Sequence, residues 1–463
     1  MVPGRGGAVT LPVCRADTPV VEVIKQLDRS GEARAVIVSP RDEYVCQISP
    51  NEIRRHLLTG LDADSPIGSI AEASPLFLRE PELADPERRR AVAVELRAAG
   101  YSHCAVVDAG GRFLRVVPCE ELLGAAGGPQ PAAAGGVQRV LVIGGAGYLG
   151  AVLVAELRAA GYAVRVLDNF IYGRGALAGL AESGRIEVVD GDIRNIQTIV
   201  SGLADVDAVV LLAAVVGDPA SQTRPTQTIE TNLLAAQAIA FACRSQQINR
   251  FLYASTCSVY GQGDGLLTEQ SALAPVSLYA RTKIASEQSI LALADGTFSP
   301  TILRLGTLYG LSPRMRFDLV VNTMAMKAFV DRKITVFGGA QWRPLLHVRD
   351  AARAFVACLA APLAAVGGAV FNVGSEEQNY QIAEIARLIS EALGGIPIDR
   401  QGSTLDARDY RVSFRRLRDV LGVTPCHTVA EAAREIYACL QGGTIRNPLA
   451  RVYFNHYFDS TEE

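Results

Sequence analysis

The sequence predicts an α/β fold: a doubly wound parallel sheet with a small C-terminal substrate lobe, preceded by a separate α+β unit. Three observations carry that expectation. Apolar, β-branched runs alternate with helical patterns from residue 138 onward, as they do where crossover helices join parallel strands. A glycine-spaced turn, Gly144, Gly147 and Gly150, stands between the first of those strands and its helix. The stretch "GAAGGPQPAAAGG" (124–136) has neither periodicity and reads as a flexible linker. The domains that follow are 8–123, 137–444 and a C-terminal tail, 445–463.

Composition narrows the function classes. Hydrophobic residues make up 49% and charged residues 20%, with a formal net charge of -3, an ordinary globular balance. No basic run interleaved with aromatics points to nucleic acid. No apolar stretch reaches the roughly 18 residues of a membrane span, and "MVPGRGGAVT" lacks the apolar core of a signal peptide. Nine scattered cysteines without a CxxC pair fit reduced thiols and a cytoplasmic location. Five dispersed histidines give no expectation of a metal site.

The N-terminal unit repeats itself: "ARAVIVSPRDEYVCQISPNEIRRHLL" (33–58) lies over "HCAVVDAGGRFLRVVPCEELLGAA" (103–126). Each copy gives a strand, a polar turn, a second strand and an acid opening a helix. Each follows an amphipathic helix, "PVVEVIKQLDRSG" (19–31) or "RRRAVAVELRAAG" (88–100), so the copies should pack as a pseudo-symmetric pair. This resembles a tandem CBS-domain pair, most of all in "EIRRHLLTGLDADSPIG" (52–68). In such pairs a hydroxyl residue and an acid three positions on clasp an adenosine ribose. Ser49 and Glu52 have that spacing; the second copy has Pro118 and Glu121, and Cys46 replaces a small glycine. The resemblance implies either one regulatory adenine-nucleotide site at Ser49 and Glu52, or a degenerate pair kept for dimer packing.

After the linker, "RVLVIG" suits a strand buried on both faces, the glycines follow, and "YLGAVLVAELRAAG" has helical spacing. Glycines let the backbone approach a pyrophosphate at a helix N-terminus, where free N–H groups and the dipole favour anions. Asp168, ending the second strand "YAVRVL", can accept both adenosine ribose hydroxyls and would repel a 2′-phosphate, so NAD is favoured over NADP. Strands at "RIEVVDGDIRN" (185–195), "DAVVLLAAVVGDP" (207–219) and "NRFLYASTCSVYG" (249–261) continue the alternation, with a helix over 225–247 between the last two. The order strand, glycines, helix, strand, acid is that of a Rossmann dinucleotide fold.

GxxGxxG, "DNF", "GDIR", "LAA", "STCSVYG", "YARTK" and "ILRLGTLYG" follow the order of the extended short-chain dehydrogenase/reductase superfamily. Residues 137–440 resemble its sugar-nucleotide epimerase/dehydratase branch. The resemblance implies that Tyr148, Leu149 and Asn169 join the glycines and Asp168 at the cofactor. It also sets Asp192 and Ile193 beside adenine, Leu212 and Ala213 along the cofactor, and Asn232 in support of the site.

Tyr279 and Lys283, four apart, share a helix face. An unperturbed tyrosine, with a pKa near 10, is a poor base at neutral pH. A neighbouring ammonium and the nicotinamide charge would lower that pKa and supply a phenolate, while Lys283 bridges the nicotinamide ribose. Thr256 can hold the substrate hydroxyl whose proton leaves. In the other reading it caps the strand end and Ser255 supplies the hydroxyl.

Related 4,6-dehydratases carry an Asp–Glu pair directly after this threonine; here stand Cys257 and Ser258. Neither forms an effective acid/base couple near neutral pH, which disfavours dehydration and the related decarboxylation. Cys257 is either an acid/base or a small buried residue behind the nicotinamide.

For the substrate lobe, resemblance sets Phe337 against a base and Arg343 on a diphosphate, with His347 and Asp350 orienting their segment. Arg408 and Asp409 reach the nucleotide ribose and phosphate, with Asp406 an alternative to Asp409. Arg314 and Arg316 bind phosphate or carboxylate, or are solvated charges. Thr307 replaces the asparagine of a common "RxxN" pattern, against a standard UDP-hexose substrate.

Three functions compete: an NAD-dependent nucleotide-sugar epimerase, possessing or lacking regulation by an adenine nucleotide; a keto-sugar reductase or dehydrogenase; and a non-catalytic NAD/adenine-nucleotide sensor. The superfamily implies a homodimer through helices at 225–247 and 277–295.

Overall fold

A computed structural model describes residues 11–30, 34–58, 60–71, 73–74, 76–98, 101, 103–119, 122, 137–182, 184–402 and 408–455. The linker 124–136, Glu121 and Asp406 lie outside the described residues. The chain divides into two compact units, residues 1–138 and 139–463.

In the first unit two three-stranded sheets follow one plan. β1 (Val13–Arg15) pairs parallel with β2 (Ala35–Val38), which pairs antiparallel with β3 (Tyr44–Ile48). β4 (Phe77–Arg79), β5 (His103–Val107) and β6 (Phe113–Pro118) repeat that pattern. A helix, Val20–Ser30 or Pro86–Ala98, crosses between the parallel strands of each copy. The hairpin turns meet reciprocally: Tyr44 N donates to Gly111 O at 3.1 Å, and Phe113 N to Asp42 O at 2.9 Å. One shift of register exchanges these two bonds and also lays Ser49 over Pro118, so the repeat folds about a pseudo-twofold.

The second unit holds β7 (Arg139–Ile143), β8 (Ala163–Asp168), β9 (Glu187–Asp190), β10 (Ala208–Leu211), β11 (Arg250–Thr256), β12 (Gln262–Leu267) and β13 (Ser299–Leu305). After these come β14 (Thr307–Tyr309), β15 (Ile334–Phe337), β16 (Trp342–His347), β17 (Val370–Val373), β18 (Asn379–Gln381), β19 (Ile398–Gln401) and β20 (Asp409–Val412). Seven of them form one parallel sheet, ordered β17-β13-β11-β10-β7-β8-β9. The chain runs outward one way from β7 and, after β9, the other way from β10. The crevice where that reversal falls is where open α/β sheets bind ligands. Small pairings, β12 with β20, β15 with β19, and β14-β16-β18, build the lobe.

Hydrophobicity explains the main sheet. All four residues of β10 are buried, as are the last four of β7, because helices cover both faces. Two features depart from the sequence reading. β17 is a seventh strand of four residues, "VFNV", too short to show a period. The helix expected over 225–247 is broken: Pro225–Ile229 and Ala236–Ser245 are α-helical, and Glu230–Ala235 is a π turn. That wider turn carries Asn232, whose amide bonds the backbone of Val215 on both sides, Oδ1 accepting at 2.7 Å and Nδ2 donating at 2.9 Å. Among the described residues no helix is long and apolar enough to cross a membrane.

Candidate active site

The glycine turn brings backbone together more closely than side chains allow. Gly144 has φ 87°, and a Cβ there would stand 2.6 Å from Ala213 N. One on Gly150 would stand 2.2 Å from Gly144 O. Gly147 begins the Tyr148–Ala159 helix without a side-chain cap, leaving its first amides facing the cavity. At the end of β8, Asp168 accepts from Ala146 N at 2.9 Å and Phe170 N at 2.8 Å. Burial pushes its carboxyl up, while the two amides pull it down. Each oxygen retains a lone pair for a ribose hydroxyl. These groups fit a dinucleotide.

Tyr148, Leu149, Asn169, Asp192, Ile193, Leu212 and Ala213 line the same cavity. Arg194, donating to Asp192 at 2.8 Å, holds that carboxyl below its usual range. Tyr148 turns its hydroxyl to Gly310 O at 2.6 Å, tying the helix to the loop after β14.

Thr256, Tyr279, Lys283 and Ser258 line the cavity a little further along. Ser277 caps the Leu278–Ala292 helix through Ala280 N, which starts the helix one residue before Tyr279 and turns the Tyr279–Lys283 face toward β11. Lys283 is buried, with Nζ 2.8 Å from Ala254 O and 4.6 Å from the Tyr253 ring centroid. Burial drives its pKa down to about 7, against the pull of Glu287. Burial also pushes Tyr279 up to about 12, with Arg316 and a hydrogen bond from Thr256 drawing it down. The sequence reading assigned that lowering to Lys283 and the nicotinamide charge; Lys283 Nζ lies 6.0 Å from the Tyr279 ring centroid, and the strongest lowering here comes from Arg316.

Both readings of Thr256 meet in one residue. Its Oγ1 accepts from Ser258 N at 3.1 Å and also reaches Tyr279. Ser255 instead donates to Glu287, whose carboxylate takes three bonds from the Arg304 guanidinium, the shortest 2.7 Å. This buried pair braces the end of β11 from behind. Cys257 is 1% exposed, lies outside the cavity lining and sits with Sγ 3.2 Å from Arg304 O. Burial pushes its thiol up, so the structure gives it the place of a small packed residue.

The substrate side is only partly where the sequence placed it. Thr307 and Arg408 line the cavity; Phe337, Arg343 and Asp409 are not among its described lining residues. Phe337 ends an edge strand and is 53% exposed. Arg343 turns to the carbonyls of Trp342 and Arg408. Asp409 accepts from Trp342 N at 2.8 Å, joining β16 to β20. Sequence reasoning missed Tyr172, Arg224 and Asn455, which do line it, and left Arg314 and Arg316 undecided.

His347, Asp350 and His427 also cluster. Asp350 accepts from Cys426 N, His427 N and His427 Nδ1 at 3.1, 3.0 and 2.8 Å. His347 Nδ1 caps a helix through Arg349 N, and a Cβ on Gly310 would stand 2.3 Å from its Nε2. Both nitrogens of His347 are thereby hemmed in, and the cluster acts as a bracket between Val348–Ala360 and the segment before Val429–Gln441.

Residues 140–374, more than half of the chain, match the model of the NAD dependent epimerase/dehydratase family. The chain belongs to that family. Epimerase/dehydratase relatives of both kinds are similar to it. A UDP-glucose 4-epimerase of Corynebacterium glutamicum is 27% identical over 63% of this chain and 92% of its own. A dTDP-glucose 4,6-dehydratase of Actinoplanes sp. is 31% identical over 62% of this chain and 92% of its own. Among solved structures, MoeE5 in complex with UDP-glucuronic acid and NAD superimposes with a TM-score of 0.57, at 30% identity, over 64% of this chain and 96% of that one. NAD is the cofactor of the family, and the Gly144–Asp168 geometry suits it.

Proposed function

We propose that this member is an epimerase of a nucleotide sugar, acting by transient oxidation to a keto-sugar within a catalytic unit spanning 137–444. The observation that carries the reading is the cavity wall after Thr256. Where dehydration would require an acid and a base, Cys257 faces away and Ser258 is held by Tyr410, 3.5 Å from its Oγ. What lines the cavity suffices for proton removal alone. NAD, when bound, supplies the acceptor and return donor of hydride. Thr256 orients the sugar hydroxyl, and Tyr279 takes its proton. Burial opposes both a lone phenolate and a lone ammonium, so Tyr279 ionised beside a protonated Lys283 offsets two penalties at once.

Two further parts of the proposal have separate support. An exposed apolar row, Ile229, Leu234 and Phe241, the last 60% exposed, supports a homodimer through the 225–245 helices. The repeated plan of the N-terminal unit supports a CBS-like pair; regulation by an adenine nucleotide is the further step that the resemblance adds. Against a ligand at Ser49 and Glu52, Glu52 Oε2 already takes Ser49 N at 2.7 Å, Ser49 Oγ at 2.8 Å and Arg34 at 3.0 Å. That is a capping box with a salt bridge, and a nucleotide would have to displace it.

The test is incubation with a panel of nucleotide sugars in deuterated water without added cofactor, read by NMR, together with assay of NAD released on denaturation. Inverted product without deuterium is expected. Deuterium beside the oxidised carbon would return Cys257 to the chemistry, and stoichiometric turnover only with added NADH would replace epimerase by reductase.

A further inference from the structure

The chain continues past the family match, and its described end returns to the cavity. Tyr453 O accepts from Phe317 N at 2.9 Å, and the two rings meet edge to face with centroids 5.5 Å apart. This pins Asn455, 3% exposed, into the cavity wall. There Asn455 Oδ1 accepts from Arg314 Nη2 at 2.6 Å and its carbonyl accepts from Arg224 Nη2 at 3.0 Å. One neutral residue thus holds two guanidiniums drawn from segments far apart in the chain.

Among the described residues neither guanidinium is paired directly with a carboxylate, although Asp318 and Asp168 act on Arg314 from beyond ion-pair distance. Arg316 has its own carboxylate, bonding Asp318 at 2.9 and 2.8 Å. Among the described residues neither Arg314 nor Arg224 has a carboxylate within ion-pair distance. Arg314 is 5% exposed, stacks 3.7 Å over the Tyr172 ring, and keeps a buried Nε without a partner among the described residues. A buried cation with an unused donor is costly unless an anion completes it. A planar guanidinium suits an oxyanion with two oxygens.

We infer that the segment Arg451–Asn455 is part of the binding site, and that Asn455 spaces Arg224 and Arg314 to receive one oxyanion of a bound ligand. The group is a phosphate or a carboxylate. It comes from the dinucleotide's diphosphate, or from the nucleotide sugar; in the second case the inference rests on the function proposed above. An aspartate at 455 would fill the site from within, whereas the native amide positions the arginines without neutralising them.

Calorimetric titration of the full chain with NAD, UDP-glucose and UDP-glucuronic acid tests this, with Asn455→Asp, Asn455→Ala and Arg224→Gln as variants. Asn455→Asp should weaken the ligand concerned by about tenfold or more, the worth of a charge-assisted hydrogen bond, and Arg224→Gln should weaken the same one. Loss confined to NAD assigns the site to the cofactor diphosphate. Equal loss for both nucleotide sugars assigns it to theirs, and loss for UDP-glucuronic acid alone assigns it to a sugar carboxylate. If Arg224→Gln and Asn455→Ala melt like the native protein and bind every probe as it does, the inference is overturned. A native protein that binds NAD but neither UDP sugar leaves the NAD arm to decide the oxyanion site, and the proposed function falls only if the whole nucleotide-sugar panel also fails.

Discussion

In one part of the cavity wall Gly144, Gly147, Gly150 and Asp168 come from a single strand–turn–helix–strand stretch. In another, Tyr172, Arg224, Arg314 and Asn455 come from four segments that meet only after the whole second unit has folded, and Arg314 acts on the carboxyl of Asp168. The first part works with backbone: amides at a helix start, close approach at Gly150, and an acid fixed by two amides. The second works with side-chain charge balanced across long sequence distances. Backbone sites need a local conformation, and so leave a local signature. Charge sites need only proximity, which leaves none.

Three experiments would break or sharpen that contrast. The largest effect is expected at the proton site, where Tyr279→Phe should lower turnover about a thousandfold, the scale of general acid–base catalysis. Measured NAD content should stay native, because the ring is retained. Retained turnover would remove the proton chemistry from the site.

Gly150→Ala should act on the local part alone. Its Cβ meets Gly144 O and Gly145 Cα at 2.2 and 2.7 Å, so the turn must shift away from the diphosphate. Loss of about a hundredfold in NAD affinity is expected by titration, since two or more charge-assisted contacts are disturbed. If Asn455→Asp reproduces that pattern, the two parts of the wall hold the same ligand.

The smallest effect concerns Lys283. Its folded pKa, about 7, lies below its ordinary value, so between 7 and 10.5 the unfolded chain binds more protons and stability rises with pH. The penalty for its buried charge is complete below about 7 and fades above it. Lys283→Met should therefore raise the melting temperature relative to native protein more at pH 6 than at pH 9. An equal difference at both would mean that Lys283 stays charged throughout.

Much of the proton site was legible from Thr256, Tyr279 and Lys283, because helical spacing fixes which residues share a face. Cys257 was not settled by spacing: whether a thiol after a strand end faces the cavity depends on the turn that follows, here the short helix Cys257–Tyr260. The exposed position of Phe337 outside the described cavity lining was not legible, because its strand could be recognised while the partner of that strand, β19, could not. The π turn at Glu230–Ala235 left no pattern, since it arises from the hold of Asn232 on Val215.

By itself the sequence determined the alternation of strands and helices, the dinucleotide turn and the tyrosine–lysine pair, because each rests on short-range periodicity and glycine geometry. The tertiary structure alone decided that Glu287 and Arg304 brace β11, that Glu52 closes on Ser49, and that Asn455 joins Arg224 to Arg314. Those are pairings of charges and amides across distant segments, and their energies exist only once burial has removed the water that would otherwise satisfy them.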